Sequence, residues 1–332
     1  SYAGHHPQNY MGVSQWANRL ESYADHINAP VIAPCAVEAL QPAEAGYHIH
    51  SSQGVWHCRS AVIASGACNT PIVPAFAREV APEIAQLTPH DYRNPGQLEP
   101  GGVLVVGASA SGIQLADEIQ RAGHPVTLCI GEHVRMPRRY RGHDILRWMH
   151  RKGLLDESYR EIDEITRARN LPSSQLVGCD DQRTLDLNTL SNTGVELVGR
   201  LVGISQGKAH FSGSLPNICQ LADLKLRRLL TGIDQWINAH PAAHDTPEES
   251  HPEPTRLLGI PRLQLDLARH GVRTIIWACG YRPDNRCLQV PVLNHRGRMR
   301  HEGGITAAAG LYVMGLPFMR RRKSGLICGA DD

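Results

Sequence analysis

The sequence predicts an α/β fold in which a parallel sheet, formed by roughly residues 100–280, carries helices on both faces. The stretch VLVVGASASGIQLADEIQ (103–120) runs from apolar residues through a glycine- and serine-rich turn into an amphipathic helix. A second apolar run, VTLCIG (126–131), follows at once. Two more runs, AVIASG (61–66) and TIIWACG (274–280), also end in glycine. Short apolar runs that end in a tight turn are typical of buried parallel strands.

Composition sets the limits of this fold. The chain has 332 residues, enough for two ordinary domains or for one domain interrupted by another. Hydrophobic residues make up 42% and charged residues 20%, which indicates a globular protein. The formal net charge of +2 is too small to favour nucleic acid or a membrane surface as the main partner. The sequence contains neither a membrane-spanning apolar run nor a signal-like start, so we expect a cytoplasmic protein.

The nine cysteines are dispersed, and no C-x-x-C pair occurs among them. This pattern favours reduced thiols over a zinc knuckle or a redox disulfide. The eighteen histidines show no metal-ligand spacing either. We therefore predict no metal site.

The N-terminal third predicts one helix and several short strands. Apolar residues at helical spacing predict a helix over 14–27, with Ser14 as its N-cap. Strand-like pieces follow up to residue 60, and 61–66 reads as a buried parallel strand. Residues 67–76 contain Pro71 and Pro74 and are expected to form an extended loop.

The rest of the chain alternates helical and strand patterns. The helix after the glycine-rich turn is expected to end near Ala122. Residues 144–170 read as mostly helical, and 195–204 with 208–213 as strands of a second small sheet. Further predictions are a helix over 220–240, a proline-rich loop or hinge over 241–256, and strands near 274–279 and 310–314.

The turn at 107–112 has the pattern of a dinucleotide-binding elbow. It reads Gly107-x-Ser109-Ala110-Ser111-Gly112, with serine in place of the middle glycine of G-x-G-x-x-G. Serine is small, and its hydroxyl can bond a phosphate, while the helix N-terminus supplies amide donors and a positive dipole end. We interpret these five residues as cofactor-binding; a purely structural strand–helix turn is the alternative.

The residues after 126–131 bear on which dinucleotide binds. Arg135, Arg138 and Arg139 could hold a ribose 2′-phosphate, which favours NADP. Glu132 follows the predicted strand directly. An acid there binds the ribose hydroxyls in NAD sites, so NAD remains the alternative to NADP. A solvated basic loop is the alternative for the arginines.

Several stretches together resemble the flavin-containing monooxygenases. AVIASGACNTPIVPAF, with Ser65 and Gly66, resembles a segment that usually reads ATG, and TIIWACGYRPD, with Gly280 and Tyr281, resembles the family's second such segment. VRMPRRYRG and GLPFMRRRKSG match the bacterial group labelled flavoproteins involved in potassium transport. The resemblance implies a two-dinucleotide-binding-domain flavoprotein, with a Rossmann-like NADP domain inserted in an FAD domain. It places these four residues near the cofactors.

That resemblance implies an incomplete FAD domain. Its parts would be 1–95 and 281–332, with the NADP domain at 96–280. Nothing before residue 50 reads as a strand, a Gly-x-Gly turn and a helix in succession, so the family's FAD elbow is missing. Either the chain is a fragment of a longer flavoprotein, which its abrupt ends favour, or it has lost FAD and keeps the NADP site.

The activity implied by the resemblance is NADPH- and FAD-dependent insertion of one oxygen atom from O2 into a small organic substrate. A flavin reductase without oxygenation and a non-catalytic NADP-binding sensor are the alternatives. No side chain is required as acid, base or nucleophile, so no catalytic residue is assigned. The linker QLTPHDYRNP carries Thr88 where the family has a histidine, with His90 and Tyr92 nearby. Expected partners are the substrate and O2, with neither nucleic acid nor membrane; a homodimer is compatible with the resemblance.

Overall fold

The computed structural model describes residues 10–179, 181–240, 246–248 and 250–331. The chain divides into two compact units, each discontinuous in sequence. The first unit comprises Ser1–Ala64, Gly178–Gln182 and Asp284–Met314, and the second comprises Ser65–Val177, Arg183–Pro283 and Gly315–Asp332. The units thus change at residues 64/65 and 283/284, whereas the sequence places boundaries at 95/96 and 280/281. The assignment of FAD and NADP to particular domains stays a prediction.

The described residues contain six α-helices. They are α1 Val13–His26, α2 Ala110–Arg121, α3 Ile145–Arg151, α4 Ile165–Ala168, α5 Leu187–Asn192 and α6 Leu215–Ala239.

Nineteen strands are formed by the described residues, many of them only two or three residues long. They are β1 Val37–Ala43, β2 Gly46–Ser51, β3 Gly54–Cys58, β4 Ala61–Ile63, β5 Thr70–Pro71, β6 Ala85–Leu87, β7 Gly102–Val106, β8 Val126–Ile130, β9 Arg139–Tyr140, β10 His143–Asp144, β11 Glu196–Gly199, β12 Leu201–Ser205, β13 Lys208–Phe211, β14 Gln264–Asp266, β15 Val272–Trp277, β16 Tyr281–Arg282, β17 His301–Glu302, β18 Ile305–Thr306 and β19 Leu311–Val313.

The second unit is built on a five-stranded parallel sheet of order β11-β8-β7-β15-β6. The chain runs outward from β7 through β8 to β11 and then returns to form β15 on the other side of β7. The direction of winding therefore reverses between β7 and β15. In open parallel sheets, ligands bind beside the carboxyl ends of the strands at this switch point.

Alternate residues of each central strand face opposite sides of the sheet. On one side, Val103, Val105 and Leu128 pack against α2, α5 and the start of α6 in a buried core. On the other side, Leu104 and Ile275 pack against residues of β12, β13 and β14. These three strands form an antiparallel sheet. The expectation of helices on both faces is therefore wrong for the second face, where strands bury the apolar residues.

Most predicted elements are present, with three corrections. β11 joins the parallel sheet beside β8, and only β12 and β13 enter the second sheet predicted for 195–213. The segment 144–170 contains α3 and the single turn α4, with 3₁₀ turns between them, and so is only partly helical. The helix predicted over 220–240 is confirmed as α6, which begins five residues earlier.

The proline-rich loop after α6 is an irregular strap where the structure describes it; residues 241–245 and 249 of the prediction lie outside the described part. The carbonyl oxygen of Pro247 accepts a hydrogen bond from Arg141, and His251 Nε2 lies 3.0 Å from Asp234 Oδ2. Thr255 N donates to Asp223 Oδ2 over 2.8 Å. These contacts tie Pro247, His251 and Thr255 to α6 and to the segment after β9, and a hinge in this loop stays a prediction.

The first unit contains two small sheets. β1, β2 and β3 form an antiparallel meander, and β17, β18, β19 and β4 form a mixed sheet in which β4 pairs parallel to β19. Leu40, Tyr47 and Leu311 lie in its core.

One edge of the mixed sheet is open among the described strands. β4 pairs with β19 alone, and its Val62 is 58% exposed, so the buried strand predicted over 61–66 is an edge strand. α1 is also uncovered: none of its residues is buried, and Leu20 and Tyr23 are exposed. Its N-cap is Gly12, so the prediction of Ser14 as the cap is wrong by two residues.

Candidate functional site

The predicted elbow is a close junction of β7, α2 and β15 in the second unit. Gly107 has a φ of +116°, which favours glycine, and a Cβ there would overlap the carbonyl oxygen of Ala278. A Cβ on Gly112 would overlap the carbonyl oxygen of Gly107. The first glycine thus allows the turn and the last allows the helix to sit against the strand, which are the roles expected of a dinucleotide elbow.

The N-terminus of α2 lies at the carboxyl edge of the sheet. Ser109 is the N-cap residue, in an extended conformation, and its side chain makes no cap hydrogen bond. Ser109, Ala110 and Ser111 are partly exposed. The first turn of a helix presents backbone N–H groups and the positive end of the helix dipole, a combination that suits an anionic group.

Gln175 contacts the backbone of the elbow, and no sequence pattern predicts this contact. Its amide Nε2 donates to the carbonyl oxygen of Ala108 over 2.7 Å, and the residue is 1% exposed. Its backbone N donates to Val134 O, which ties this segment to the chain that follows β8. The Oε1 atom of Gln175 is buried without a hydrogen-bond partner among the described residues. Gln175 lies in an irregular segment 67 residues away, so no local motif marks it.

The carboxyl end of β15 brings Gly280 and Tyr281 to the elbow. Ala278, near the end of β15, contacts the positions where Cβ atoms on Gly107 and Gly112 would stand, and burial raises the pKa of the nearby Tyr281 phenol. Cys279 lies within 3.6 Å of the Val106 carbonyl oxygen, and burial raises the pKa of its thiol to about 11. Two stretches predicted separately, 107–112 and 280–281, are therefore adjacent.

The loop containing Ser65 and Gly66 leads to the same region. β5 pairs antiparallel with β16, and Cys68 is close enough to Tyr281 to raise its pKa electrostatically. Asn69 Nδ2 donates to Ser65 O over 2.9 Å, and Gly66 has a φ of +76°.

Two of the three predicted phosphate-binding arginines point elsewhere. Arg135 is buried, with its guanidinium 2.7 Å from Asp186 and 2.6 Å from Asp223. Arg138 is also buried and lies 2.5 Å from Asp144. Arg135 holds two largely buried carboxylates and Arg138 holds the partly exposed Asp144, and this geometry gives no support to a 2′-phosphate contact.

The third arginine and two other cations lie nearer the surface. Arg139 is exposed and donates to the carbonyl oxygen of Gly142. Glu132 Oε1 lies 3.3 Å from Lys225 Nζ. The stem of Arg200, just after β11, lies 3.9 Å from where a Cβ on Gly131 would stand. Sequence reasoning missed Arg200, although an arginine after a strand at the same sheet edge is a readable signal.

His133 is a buried histidine at this edge. It is 1% exposed, its Nδ1 lies 3.0 Å from Gly131 O, and its Nε2 has no partner among the described residues. Burial lowers the pKa of His133 below the ordinary 6.5, so the imidazole is neutral near pH 7.

The two linker residues named from sequence differ in their surroundings. The His90 ring stacks on Tyr281, with centroids 5.0 Å apart and planes inclined by 27°. Tyr92 is buried, and burial raises the pKa of its phenol. Thr88, which stands where the resemblance expects histidine, bonds Asp91 over 2.7 Å.

Within the described ranges, no three His, Cys, Asp or Glu side chains are grouped so that they could hold a metal ion. No disulfide joins two cysteines in the described part of the chain. No helix in the described part of the chain is both long and apolar enough to cross a membrane.

Comparison with known proteins finds similarity to oxidoreductases. Residues 3–167 match the family model "Pyridine nucleotide-disulphide oxidoreductase". An uncharacterized CzcO-like oxidoreductase of Geobacillus kaustophilus is 27% identical over 325 residues, covering 97% of this chain and 76% of the relative. The CzcO oxidoreductase of Bacillus subtilis is 22% identical, covering 94% and 74%.

Solved structures share the fold at low sequence identity. A flavin monooxygenase mutant from Stenotrophomonas maltophilia has a TM-score of 0.58 at 13% identity, covering 96% of this chain and 73% of the other. An ornithine N-hydroxylase from Kutzneria, solved with reduced FAD, NADP+ and L-ornithine, has a TM-score of 0.53 at 15% identity, covering 95% and 72%. The likeness identifies the two-dinucleotide-binding flavoprotein fold. Residues 3–167 are thus similar to the pyridine nucleotide-disulphide oxidoreductases, and most of the chain is similar to oxidoreductases of the CzcO type.

Proposed function

We propose that the protein is an NADPH- and FAD-dependent monooxygenase that inserts one oxygen atom from O2 into a small organic substrate. The observation that carries the pyridine-nucleotide part is the elbow, where Gly107 and Gly112 allow β7, α2 and β15 to meet at the switch point of the sheet. The oxygenation part is supported by analogy with the monooxygenase and the N-hydroxylase that share the fold.

The residues present fit a pyridine dinucleotide. Ser109, Ala110 and Ser111 would hold its pyrophosphate at the N-terminus of α2, and Gly107 admits the close approach of the turn. For a 2′-phosphate we propose Arg200 and Arg139, because Arg135 and Arg138 are themselves buried and already paired with carboxylates.

The fit for FAD is partial. In the described part of the first unit, no strand leads through a glycine turn into a helix, so no residue there is assigned to the flavin pyrophosphate. When bound, NADPH would supply a hydride and FAD would supply the reaction with O2. The chain's own contribution in this proposal is to bind and orient the dinucleotide at the elbow.

There are two alternative functions, and the partial fit for FAD favours the first of them. A chain that binds NADPH without FAD would be a nucleotide-binding module, and one that binds both without oxygenation would be a flavin reductase. Both candidates share the elbow, so they differ from the first only in what happens after dinucleotide binding.

An absorbance experiment separates the three. The purified chain is incubated with FAD, freed of unbound flavin and mixed with NADPH, first without and then with O2. A flavin band at about 450 nm that bleaches with NADPH establishes an oxidoreductase. O2 uptake that ends mainly in H2O2, whichever amine, thioether or ketone is offered, favours a reductase; an oxygenated product favours the monooxygenase.

A colourless protein that binds NADPH favours the binding module. A chain that binds neither dinucleotide overturns the proposal. Gly131→Ala is a matched control for variants of the elbow, because a Cβ at 131 meets nothing closer than 3.9 Å.

A further inference from the structure

The meander of the first unit carries a row of polar side chains across its three strands. The register of β1, β2 and β3 places Gln41 opposite His48, and His48 opposite His57. Leu40 and Ile49, which alternate with these residues along their strands, face the core of the unit. The row of Gln41, His48 and His57 therefore lies on the outer face of the meander.

The two histidines of this row touch each other. Their ring centroids are 4.3 Å apart, and the ring planes are inclined by 72°. His57 is exposed and His48 is partly exposed, so a solute can reach both rings. Neither ring has a hydrogen-bond partner among the described residues. Both imidazoles can thus offer a ring nitrogen to a ligand.

The separation of the two rings suits two bonds to one metal ion. An imidazole nitrogen binds Zn2+ at about 2.0–2.1 Å, so two nitrogens on one tetrahedral ion stand about 3.3 Å apart. The centroids of His48 and His57 exceed this distance by roughly one ring radius, and rotation of the side chains can bring one nitrogen of each ring to a common ion. The strand pairing holds both side chains beforehand, which reduces the entropy lost on binding.

We propose that His48 and His57 form a two-histidine binding site for a divalent transition metal, with water completing the coordination shell. Within the described residues, no third His, Cys, Asp or Glu joins the pair in a possible metal group. Two imidazoles without a carboxylate favour Cu2+, Ni2+ and Zn2+ over Mg2+ and Ca2+. Their spacing along the chain does not mark them as ligands, because the strand register brings them together.

His50 provides a matched control on the same strand. It lies two residues from His48 and therefore on the same face of β2. Its Nε2 is 3.1 Å from Gln41 Oε1, and Gln41 Nε2 donates to Gln289 Oε1 over 2.6 Å. His50 is thus engaged with an amide and is not part of the proposed site.

A purely structural contact between the rings makes a different prediction. If His48 and His57 only pack edge to face, any metal ion meets each ring singly. Loss of one ring would then leave the response of the other to metal unchanged.

The first test follows modification of individual histidines by diethyl pyrocarbonate, measured by peptide mass spectrometry in the full chain with and without Zn2+. We expect Zn2+ to slow modification of His48 and His57 and to leave the rate at His50 unchanged. In His57→Gln, Zn2+ should no longer protect His48, whereas in His50→Gln it should protect both members of the pair. Mg2+ should protect neither.

The second test is calorimetric titration with Zn2+. His48→Gln and His57→Gln should each raise the Kd of the site at least about tenfold, because even loss of an outer-shell partner costs about 10–100-fold in metal affinity. His50→Gln should leave this Kd unchanged.

The outcomes decide the proposal without reference to the proposed function, because only residues of the first unit are involved. Protection of His48 that persists in His57→Gln overturns it, since each ring then binds metal alone. A Kd for Zn2+ that is equal in the wild type and His57→Gln also overturns it, as does a Kd that His50→Gln raises as far as His57→Gln does. Loss of both affinity and His48 protection in His57→Gln, with neither lost in His50→Gln, supports the shared site.

Discussion

Replacement of Gly112 by alanine tests whether the elbow depends on close packing of helix against strand. The new Cβ would lie well inside 3.0 Å of the Gly107 carbonyl oxygen, a separation that real Cβ atoms essentially never show. Both groups are backbone, so neither can move aside as a flexible side chain would. α2 has to shift away from β7 by about an ångström, in a core where Ile113 and Ala116 are fully buried.

The size of the effect follows from two opposing terms. Overpacking of a tight core costs about 3 kcal/mol at the upper end of its usual range. Alanine gains back about 1 kcal/mol over glycine inside a helix. The net loss of about 2 kcal/mol corresponds to a fall in Tm of about 5 °C for a unit of this size. The shift also moves the α2 amides, so NADPH affinity is expected to fall with stability.

Thermal and urea unfolding of Gly112→Ala and Gly131→Ala measure this prediction side by side. Gly131 lies at the end of β8, and a Cβ there meets only the Arg200 stem at 3.9 Å, so that variant should unfold like the wild type. If Gly112→Ala proves as stable as Gly131→Ala and binds NADPH equally well, the close approach of α2 to the turn is not a requirement of the fold, and the argument for the elbow loses its physical basis.

Three further predictions concern buried groups. Arg135→Met leaves two buried carboxylates without their cation, so we expect the free energy of unfolding, measured in urea, to fall by about 3–5 kcal/mol. The preference for NADPH over NADH should stay unchanged. The control Arg78→Met, at an exposed site, should change neither quantity. The pKa of His133 is lower in the folded chain than its ordinary 6.5, so the unfolded chain binds the proton first and stability falls as pH drops below 6.5. His133→Gln should flatten that part of the curve of stability against pH. An unchanged slope would contradict the lowered pKa of His133. A maleimide should label exposed Cys68 in the native protein and Cys129 only after unfolding, because burial raises the pKa of the Cys129 thiol well above 9.0; rapid native labelling of Cys129 would refute its burial.

The elbow could be predicted from sequence because its signal is local. A buried strand, a glycine turn and an amphipathic helix occupy consecutive residues, and the glycines at 107 and 112 are required by contacts within that stretch and with one neighbouring strand. The existence of β15 was predicted by the same logic of an apolar run that ends in glycine, whereas its position beside β7 is known only from the structure.

The ion pairs of Arg135 could not be predicted from sequence because its partners are distant along the chain. Asp186 and Asp223 lie 51 and 88 residues from Arg135, so a basic stretch that reads as a phosphate site is in fact the cation of a buried ion cluster. Gln175 was missed for the same reason, since a single amide in an irregular segment carries no periodic signal. β11 was assigned to the wrong sheet because an apolar run does not specify its neighbour.

The open edge of β4 has a consequence for handling the protein at high concentration. Among the strands that the structure describes, β4 (Ala-Val-Ile) pairs with β19 on one side only, and open strand edges template pairing with other chains. Two molecules that meet edge to edge can extend one another's sheet, and the 58% exposed Val62 adds an apolar contact. Self-association that grows with protein concentration and disappears in Val62→Lys is the expected signature, and a lysine at this position is a simple route to better-behaved samples.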